Sequence, residues 1–422
     1  MLSRRAFSLA TLAVAGAGLL AGCAGSPGEE GTPDGTTKLR LVSSDAERDP
    51  GDAAAVPAAV ASVHALGAGL WRLLATGDDN VALSPYSVAV ALGMTVNGAA
   101  GTTRSEMLDV LVAGTAADLN AGLNALTQHI ESLAGRQVAL DAANQLFGQQ
   151  DVPWEPAFLD TLARSYGAGM RTVDFVHATE AARKAVNRWT ADRTHDRIEE
   201  ILPPDSVSAM TRLVLVNTLY FKAPWLEPFE RTLTTDGDFH RADGTVVQVP
   251  MMRATIGAAV GTGDGWTSVR LPYADNALAM TVVLPDPGRE VDVDALPAIL
   301  AAAEPGSVEL SVPRWTFRTA KALKDPLSAL GMPTAFDEAA ADFTQMTESD
   351  DPLVIDDVLH QVFVAVDEDG TEAAAATAVV VRASSALVVD RTVTVDRPFL
   401  FVIHDVEHGT PLFVGRVADP RS

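Results

Sequence analysis

The sequence predicts an α+β fold, with helices in the first half of the chain and strands in the second. Two observations support this prediction. The first half places apolar residues at the three- and four-residue spacing of amphipathic helices, whereas the second half alternates apolar and polar residues in short segments. The chain has 422 residues, 47% of them hydrophobic, which is enough for one large core built on antiparallel or mixed sheets.

The N-terminus predicts an export signal. Arg4 and Arg5 precede an uncharged, weakly hydrophobic stretch that ends at Gly22. LAGC, which ends at Cys23, is similar to a bacterial lipobox, and the paired arginines are similar to a twin-arginine signal. We therefore expect residues 1–23 to direct export and Cys23 to be lipidated at the cell surface. The alternative is that Cys23, the only cysteine, is an ordinary small residue of the signal.

Residues 24–56 are rich in Gly, Pro, Ser and acidic residues, which predicts a flexible tether. The folded domain is then expected over residues 57–422. The chain has a net charge of −24 and no cluster of Lys and Arg, which argues against nucleic acid or an anionic lipid surface as the main partner. We expect contact with a membrane only through Cys23.

Helix and strand segments follow in order along this domain. Ser84 and Pro85 are the residue types preferred at a helix N-cap and first turn. The predicted helices are VPAAVASVHALGAGLWRLLAT, SPYSVAVALGMTVNGAAG, TAADLNAGLNALTQHIESLAG and TEAARKAVNRWTADRTHDRIEEIL. The predicted strands are TRLVLVNTLYFKAPW, GWTSVRLPY, LAMTVVLPD, SVELSVPRWTF, LHQVFVAVDEDG, FLFVIHDVEHG and TPLFVGRV.

The common catalytic and metal-binding sequence motifs are either absent or lie in segments whose predicted structure does not suit them. The sequence has no G-x-S-x-G and no H-E-x-x-H. His404, Glu407 and His408 satisfy H-x-x-E-H, but that zinc motif needs both histidines on one helix, and the flanking segments predict a hairpin turn. GTGDG at 261–265 precedes a strand, so we predict a turn and not a phosphate loop. No catalytic residue, metal or cofactor is predicted, and the chain is not expected to be an enzyme.

The segment VDEDGTEAAAATAVVVRASSALVVDRTVTVDRPF has an unusual composition. Ala373–Val381 contains no charge, Gly or Pro, and its β-branched end favours a strand, whereas its alanine half could equally be helical. Gly370 supplies a flexible pivot before it. As a strand the segment would place two sets of residues on opposite sides, the first being Thr371, Ala373, Ala375, Thr377 and Val379.

This segment resembles the hinge and reactive loop of inhibitory serpins. DRPFLFVIHDVEHGTPLFVGRV, NVALSPYSVAVALGMTVNGAAGTTRSEM, ANQLFG, LVLVNTLYFKAPWLEPF and LPYADNALAMTVVLP also occur in serpin order. In THDRI, Asp196 replaces the usual Gly, which Asp tolerates in a left-handed conformation. The resemblance implies about nine helices, three sheets and an exposed loop at about 368–391. It also implies a monomer that inhibits serine proteases irreversibly, because Thr371–Val381 inserts into the central sheet after cleavage and the covalent acyl-enzyme is trapped.

The resemblance assigns roles to individual residues. The hinge comprises Glu368, Asp369, Gly370, Thr371, Glu372, Ala373, Ala374, Ala375 and Ala376. The polar positions where the sheet opens comprise Ser84, Ser87, Asn217 and His360, and Trp225 lies where the loop first enters. The bond between Ser384 and Ser385 is the expected cleavage site, which suits elastase-like or subtilisin-like proteases with small pockets. Arg382, which suits a trypsin-like protease, and Leu387 are alternatives.

Two other functions stay open. A non-inhibitory, serpin-like binding lipoprotein would be expected to carry a bulky or charged residue in the small-residue run of the hinge, and none is present there. A hydrolase would need a catalytic motif, which the sequence lacks.

Overall fold

A computed structural model describes residues 38–135, 137–349, 351–372 and 389–421. These residues belong to one compact unit. Some predicted features lie outside the described residues, namely the export signal with Cys23, the hinge residues Ala373, Ala374, Ala375 and Ala376, and the candidate cleavage positions Arg382, Ser384, Ser385 and Leu387.

The described residues contain eight α-helices, against the nine or so expected. They are α1 (Val56–Leu74), α2 (Pro85–Val96), α3 (Gly101–Val110), α4 (Ala116–Ser132), α5 (Pro156–Tyr166), α6 (Thr179–Arg193), α7 (Leu296–Ala301) and α8 (Lys324–Leu330). The Ser84 hydroxyl caps α2 by accepting from the amide of Ser87 at 3.3 Å. The predicted helix to Leu202 is wrong, because α6 ends at Arg193 and His195 and Asp196 have φ of 50° and 60°. Asp196 thus adopts a left-handed conformation, which Asp tolerates.

The first sheet has seven strands in the order β1-β4-β3-β5-β13-β12-β11. They are β1 (Arg40–Val42), β3 (Ala139–Gln149), β4 (Met170–Val173), β5 (Leu213–Pro224), β11 (Trp315–Ala322), β12 (Asp357–Val366) and β13 (Gly370–Thr371). Strands β5 and β12 are parallel, and the short β13 lies antiparallel between their ends. This sheet therefore contains a strand position that is only partly filled.

The second sheet has nine strands. They are β2 (Val81–Leu83), β6 (Thr235–His240), β7 (Val246–Gly263), β8 (Trp266–Pro272), β9 (Leu278–Pro285), β10 (Glu304–Pro313), β14 (Arg391–Thr394), β15 (Phe399–Asp405) and β16 (Pro411–Val417). The expected third sheet is continuous with the second, because the long β7 pairs with β6 and β10 along most of its length and with β8 at its end. The predicted strand SVELSVPRWTF is two strands, β10 and β11, which belong to different sheets and are separated at Arg314.

The predicted tether is wrong in its second half. Residues 40–42 form β1, which pairs with β4 at the edge of the first sheet. The amide of Asp49 donates to the carbonyl of Arg164 at 2.9 Å, and Arg48 Nε donates to Asn124 Oδ1 at 2.9 Å. These contacts to α4 and α5 make the residues before α1 part of the domain. A Gly- and Ser-rich composition predicted flexibility, but it could not reveal a distant strand edge that pairs with this segment.

The core lies between the two sheets, with α2 at its centre. Every residue of α2 is buried, and one cluster of apolar side chains joins α2 to β5, β12 and the second sheet. The other face of the first sheet is covered by α6, with a separate cluster that includes Phe147 and Val186. In the described residues one helix, Ala53–Leu74, is long and apolar enough to span a membrane, but 56% of its most apolar window is buried inside the fold. We therefore interpret this segment as a core helix.

Candidate functional site

The candidate site is the partly filled strand position between β5 and β12. Six consecutive residue pairs join the two parallel strands, from Val214 opposite Asp357 to Leu219 opposite Val362. Beyond Leu219 the strands separate, and β13 fills the gap, with Thr371 opposite both Ala223 of β5 and Val366 of β12. The sheet is therefore closed at one end and holds the start of the predicted loop at the other.

A tight turn leads from β12 into β13. The side chain of Asp367 stabilises it, since Asp367 Oδ1 accepts from the amides of Asp369 at 2.9 Å and Gly370 at 3.2 Å. Gly370 has a φ of 156°, and a Cβ at this position would lie 2.1 Å from the carbonyl oxygen of Ala223. Only glycine fits the backbone so close to β5. The turn thus places Thr371 inside the sheet.

Trp225 and Tyr273 form the apolar wall beside the gap. Their rings stack with centroids 4.6 Å apart and an interplanar angle of 9°. Trp225 donates through Nε1 to the carbonyl of Asp367 at 2.9 Å and through its amide to the carbonyl of Asp369 at 2.9 Å. The hydroxyl of Tyr273 lies 2.6 Å from that of Thr371, which is itself buried. Both aromatic residues therefore hold the hinge by hydrogen bonds as well as by packing.

Glu368 anchors the hinge in the protein interior. Its side chain is fully buried, and Oε1 accepts from Arg314 Nε at 2.8 Å and from the Thr234 hydroxyl at 2.5 Å. Burial by itself raises the pKa of Glu368, but the hydrogen bonds from Thr234 and Arg314 outweigh it and hold that pKa below its usual range. The carboxylate is therefore charged at neutral pH and paired with Arg314.

Two further acidic residues of the hinge form ion pairs nearer the surface. Asp369 pairs with Arg231, and Glu372 pairs with Arg197. The two arginine side chains are 59% and 49% exposed, so these pairs are partly solvated. Exposed pairs of this kind contribute about 0–1 kcal/mol to stability. These two ion pairs consequently hold the hinge less firmly than the pair between Glu368 and Arg314.

A row of polar side chains crosses the closed part of the sheet beneath α2. Asn144, Asn217 and His360 are register partners on β3, β5 and β12. Asn217 Nδ2 donates to Asn144 Oδ1 at 2.9 Å, and the Ser87 hydroxyl donates to the same oxygen at 2.5 Å. His360 Nε2 accepts from the amide of Ser84 at 3.0 Å, and Nδ1 lies 2.6 Å from Asn217 Oδ1. The network joins β5 and β12 to the start of α2.

Hydrogen bonding fixes the protonation state of His360. Because Nε2 accepts a hydrogen bond from the Ser84 amide, the ring proton is on Nδ1, which donates to Asn217. Burial lowers the pKa of His360 to about 4, although the contact with Asn217 opposes the shift. The ring is therefore neutral at physiological pH and satisfied on both nitrogens.

The structure places the predicted residues at two positions along the sheet. Four of them form one network beneath α2, namely Ser84, Ser87, Asn217 and His360. Trp225 contacts the hinge at the open end of the sheet. Five further residues contact these groups and were not indicated by any sequence pattern, namely Asn144, Tyr273, Thr234, Arg314 and Arg197. Asn144 lies in the quoted motif ANQLFG, but only the strand register shows that it faces Asn217.

The near match to a zinc motif is a hairpin turn, as predicted. β15 ends at Asp405 and β16 begins at Pro411. His404 lies within β15 and is buried, with Nε2 2.9 Å from the Thr281 hydroxyl. The motif's two histidines are therefore not on one helical face. GTGDG is also a turn, because β7 ends at Gly263 and β8 begins at Trp266.

Comparisons with known proteins agree with this architecture. The model of the Serpin (serine protease inhibitor) family matches residues 61–420. Serpin B6 of Macaca fascicularis is 35% identical over 360 residues, covering 81% of this chain and 94% of that protein. The leukocyte elastase inhibitor of Xenopus tropicalis is 32% identical over 359 residues, covering 82% and 94%. The structure of the thermophilic serpin tengpin in its native state has a TM-score of 0.80 at 25% identity and covers 91% of this chain and 100% of that one.

The buried histidines predict a loss of stability in mild acid. The pKa values of His360 and His404 are both lowered from 6.5 to about 4 by burial. Between these pH values the two histidines bind protons in the unfolded chain but not in the folded chain. Their contribution to the free energy of unfolding is therefore fully present above pH 6.5 and is lost as the pH decreases towards 4. Each histidine contributes about 3 kcal/mol to this loss.

Urea unfolding midpoints measured from pH 7 to pH 4 test this expectation. In His360→Gln the loss over this range should be smaller than in the unaltered protein by about 3 kcal/mol, because only the contribution of His360 is removed. Equal losses in the two proteins would contradict the assignment of a buried neutral His360.

Proposed function

This chain belongs to the serpin family, and on that premise we propose that it is an irreversible suicide-substrate inhibitor of serine proteases. One observation supports the proposal above the others. β13 already lies between the separated ends of β5 and β12, in a register that would lead the following residues between the paired parts of the same two strands. A protease that cleaves the loop would free these residues to continue the strand.

The distance from Thr371 to the closed end of β5 and β12 matches the length of the predicted inserted segment. Thr371 is opposite Ala223 and Val366, and in an antiparallel pairing each later residue moves one position back along both neighbours. Val380 would then be opposite Val214 and Asp357, which are the first paired residues of β5 and β12. Residues 371–380 would therefore fill the position from one end to the other, in agreement with the predicted insertion of Thr371–Val381.

The side chains also match the environment that insertion would give them. In the same register, Ala373, Ala375 and Val379 would be opposite Phe221, Leu219 and Leu215, whose side chains belong to the main core. Thr377 would be opposite both Asn217 and His360. Insertion separates these two residues, and the Thr377 hydroxyl can donate and accept hydrogen bonds in place of the contact that they lose. The alanines at the other core-facing positions are small, so their insertion would not overpack the core.

Backbone pairing supplies the driving force for insertion, and the fixed C-terminal end of the loop explains why cleavage must come first. Insertion breaks the single ladder between β5 and β12 and forms two ladders, one on each side of the new strand. The C-terminal end of the loop is fixed before cleavage, because the amide of Asp390 donates to the carbonyl of Ser307 at 3.0 Å and β14 pairs with β10. An uncut loop held at both ends cannot reach the closed end of the sheet, whereas a cut loop can.

We infer that the target has a small specificity pocket. The expected cleavage between Ser384 and Ser385 suits an elastase-like or subtilisin-like protease. The similar Xenopus tropicalis protein is named as an inhibitor of leukocyte elastase, which supports this class. Arg382 supports a second candidate, a trypsin-like protease, because it is the only basic residue between Glu372 and Arg391.

The cellular location is a separate proposal that rests on the N-terminal sequence. Arg4, Arg5 and the LAGC segment support export and lipid attachment at Cys23. The inhibitor would then act at the cell surface on proteases outside the cell. A non-inhibitory binding lipoprotein is the alternative, and the run of small residues at 373–376 favours the inhibitor over it.

Covalent trapping of a protease is the first expected outcome. Incubation with elastase-like, subtilisin-like and trypsin-like serine proteases should give a complex that survives denaturing electrophoresis with at least one of them, because the acyl bond is trapped before deacylation. Mass spectrometry of the released C-terminal fragment identifies the bond. A fragment that begins at Ser385 is expected for a small-pocket protease, and one that begins at Ala383 for a trypsin-like protease. Clean cleavage without a complex across the panel would overturn the proposal.

The inserted register predicts different effects at adjacent positions. Ala375→Glu would place a carboxylate between Leu219 and Val362 in the core, which is costly without a partner. Insertion should slow, the protease should deacylate first, and the yield of complex should fall roughly tenfold or more. Ala374→Glu would place the same charge on the opposite face, beside Tyr220 and Phe363.

The second variant serves as the matched control. Arg197 and Arg318 both lie over the ring of Phe363, so a carboxylate at position 374 would face positive charge. We expect Ala374→Glu to keep most of its inhibition. Stoichiometry of inhibition measured against one protease compares the variants, and equal losses in both would show that the register is wrong.

A further inference from the structure

A separate cluster of metal-ligating side chains lies where α4 meets the turn between β15 and β16. His129, in the last turn of α4, and Glu407 and His408, in the β15–β16 turn, each offer a ligand atom within 4.8 Å of the others. None of the three belongs to the hinge or to the network beneath α2. We propose that these side chains bind a divalent transition metal ion such as Zn²⁺.

The three ligand atoms are farther apart than in a metal-bound site, but all lie within 4.8 Å of one another. His129 Nδ1 lies 3.9 Å from Glu407 Oε2, and His408 Nε2 lies 3.8 Å from Glu407 Oε1. Ligands of a tetrahedral Zn²⁺ site, each about 2.1 Å from the metal, lie about 3.4 Å apart. Small side-chain rotations would close the difference, and they are available because the Glu407 side chain is 70% exposed and that of His408 is 28% exposed.

A buried carboxylate lies behind His129, on the side of the ring away from Glu407. Asp405 Oδ1 lies 3.4 Å from His129 Nε2, and the Asp405 side chain is fully buried. Its oxygens accept from the amides of His408 and Thr410, both at 2.7 Å, which holds the carboxylate in place. If Nδ1 of His129 binds the metal, Nε2 can donate to Asp405. Metal-binding histidines usually donate their second ring nitrogen to a carboxylate in this way.

The cluster lacks the hydrogen bonds that would explain it as a purely structural contact. His129 Nε2 is buried and has no hydrogen-bond partner of normal geometry among the described residues. The rings of His129 and His408 meet edge to face with centroids 4.7 Å apart. Imidazole nitrogens carry the lone pairs that a metal ion such as Zn²⁺ accepts.

The ligand set also corrects the interpretation of the H-x-x-E-H motif. Glu407 and His408 contribute, but His404 does not, since it is buried and bonded to Thr281. His129, distant in sequence, takes its place. The set of two histidines and one carboxylate leaves a fourth position for water, and the metal would connect α4 to the second sheet.

Metal titration of the full chain tests the proposal. The chain should carry Cys23→Ser, which removes the single thiol as a competing ligand. Calorimetry with Zn²⁺ should show one equivalent bound, and Co²⁺ should give the visible absorption of a tetrahedral site with nitrogen and oxygen ligands. Bound metal should also raise the unfolding temperature. Absence of binding at about a hundredfold excess of Zn²⁺ over protein would overturn the proposal.

Variants identify the ligands. His129→Ala, His408→Ala and Glu407→Gln should each weaken Zn²⁺ binding about tenfold to a hundredfold. Glu407→Gln is the safest change for the fold because its side chain is largely exposed. His177→Ala is the matched control, since His177 is exposed and pairs with one carboxylate, Asp174. Binding that falls equally in His177→Ala, or that persists unchanged in the three ligand variants, would contradict the site.

Discussion

One ladder of six residue pairs between β5 and β12 holds the first sheet closed, and the other features of the site depend on it. His360 and Asn217 are a register pair within this ladder, so their hydrogen bond breaks when the strands separate. β13 begins where the ladder ends. A strand that entered from this end would replace one ladder by two, and the proposed mechanism depends on this gain in backbone pairing.

The charges of the hinge divide it into a fixed part and a part that can move. Glu368 is buried and paired with Arg314, and removal of one partner of such a pair leaves an uncompensated charge in the interior. Asp369 and Glu372 pair with exposed arginines, where the electrostatic contribution is small. The turn at Glu368 can therefore stay in place while the residues after Thr371 advance into the sheet.

Local signals in the sequence predicted local structure well. Ser84 caps its helix and residues 406–408 form a turn, because each depends on the conformational preferences of a few neighbouring residues. The resemblance predicted the fold. Contacts between distant strands could not be predicted from one sequence. Asn144 beside Asn217, Arg314 beside Glu368 and the edge strand at 40–42 all depend on register and packing. The end of α6 at Arg193 was missed because the apolar spacing continues beyond it.

A crystal structure of the protein after cleavage within the loop tests the site of strand insertion most directly. We expect an antiparallel strand of residues 371–380 between β5 and β12, with Thr377 between Asn217 and His360. Glu368 should remain paired with Arg314. A cleaved protein in which Val214–Leu219 still pairs with Asp357–Val362 would show that the loop does not insert between these strands.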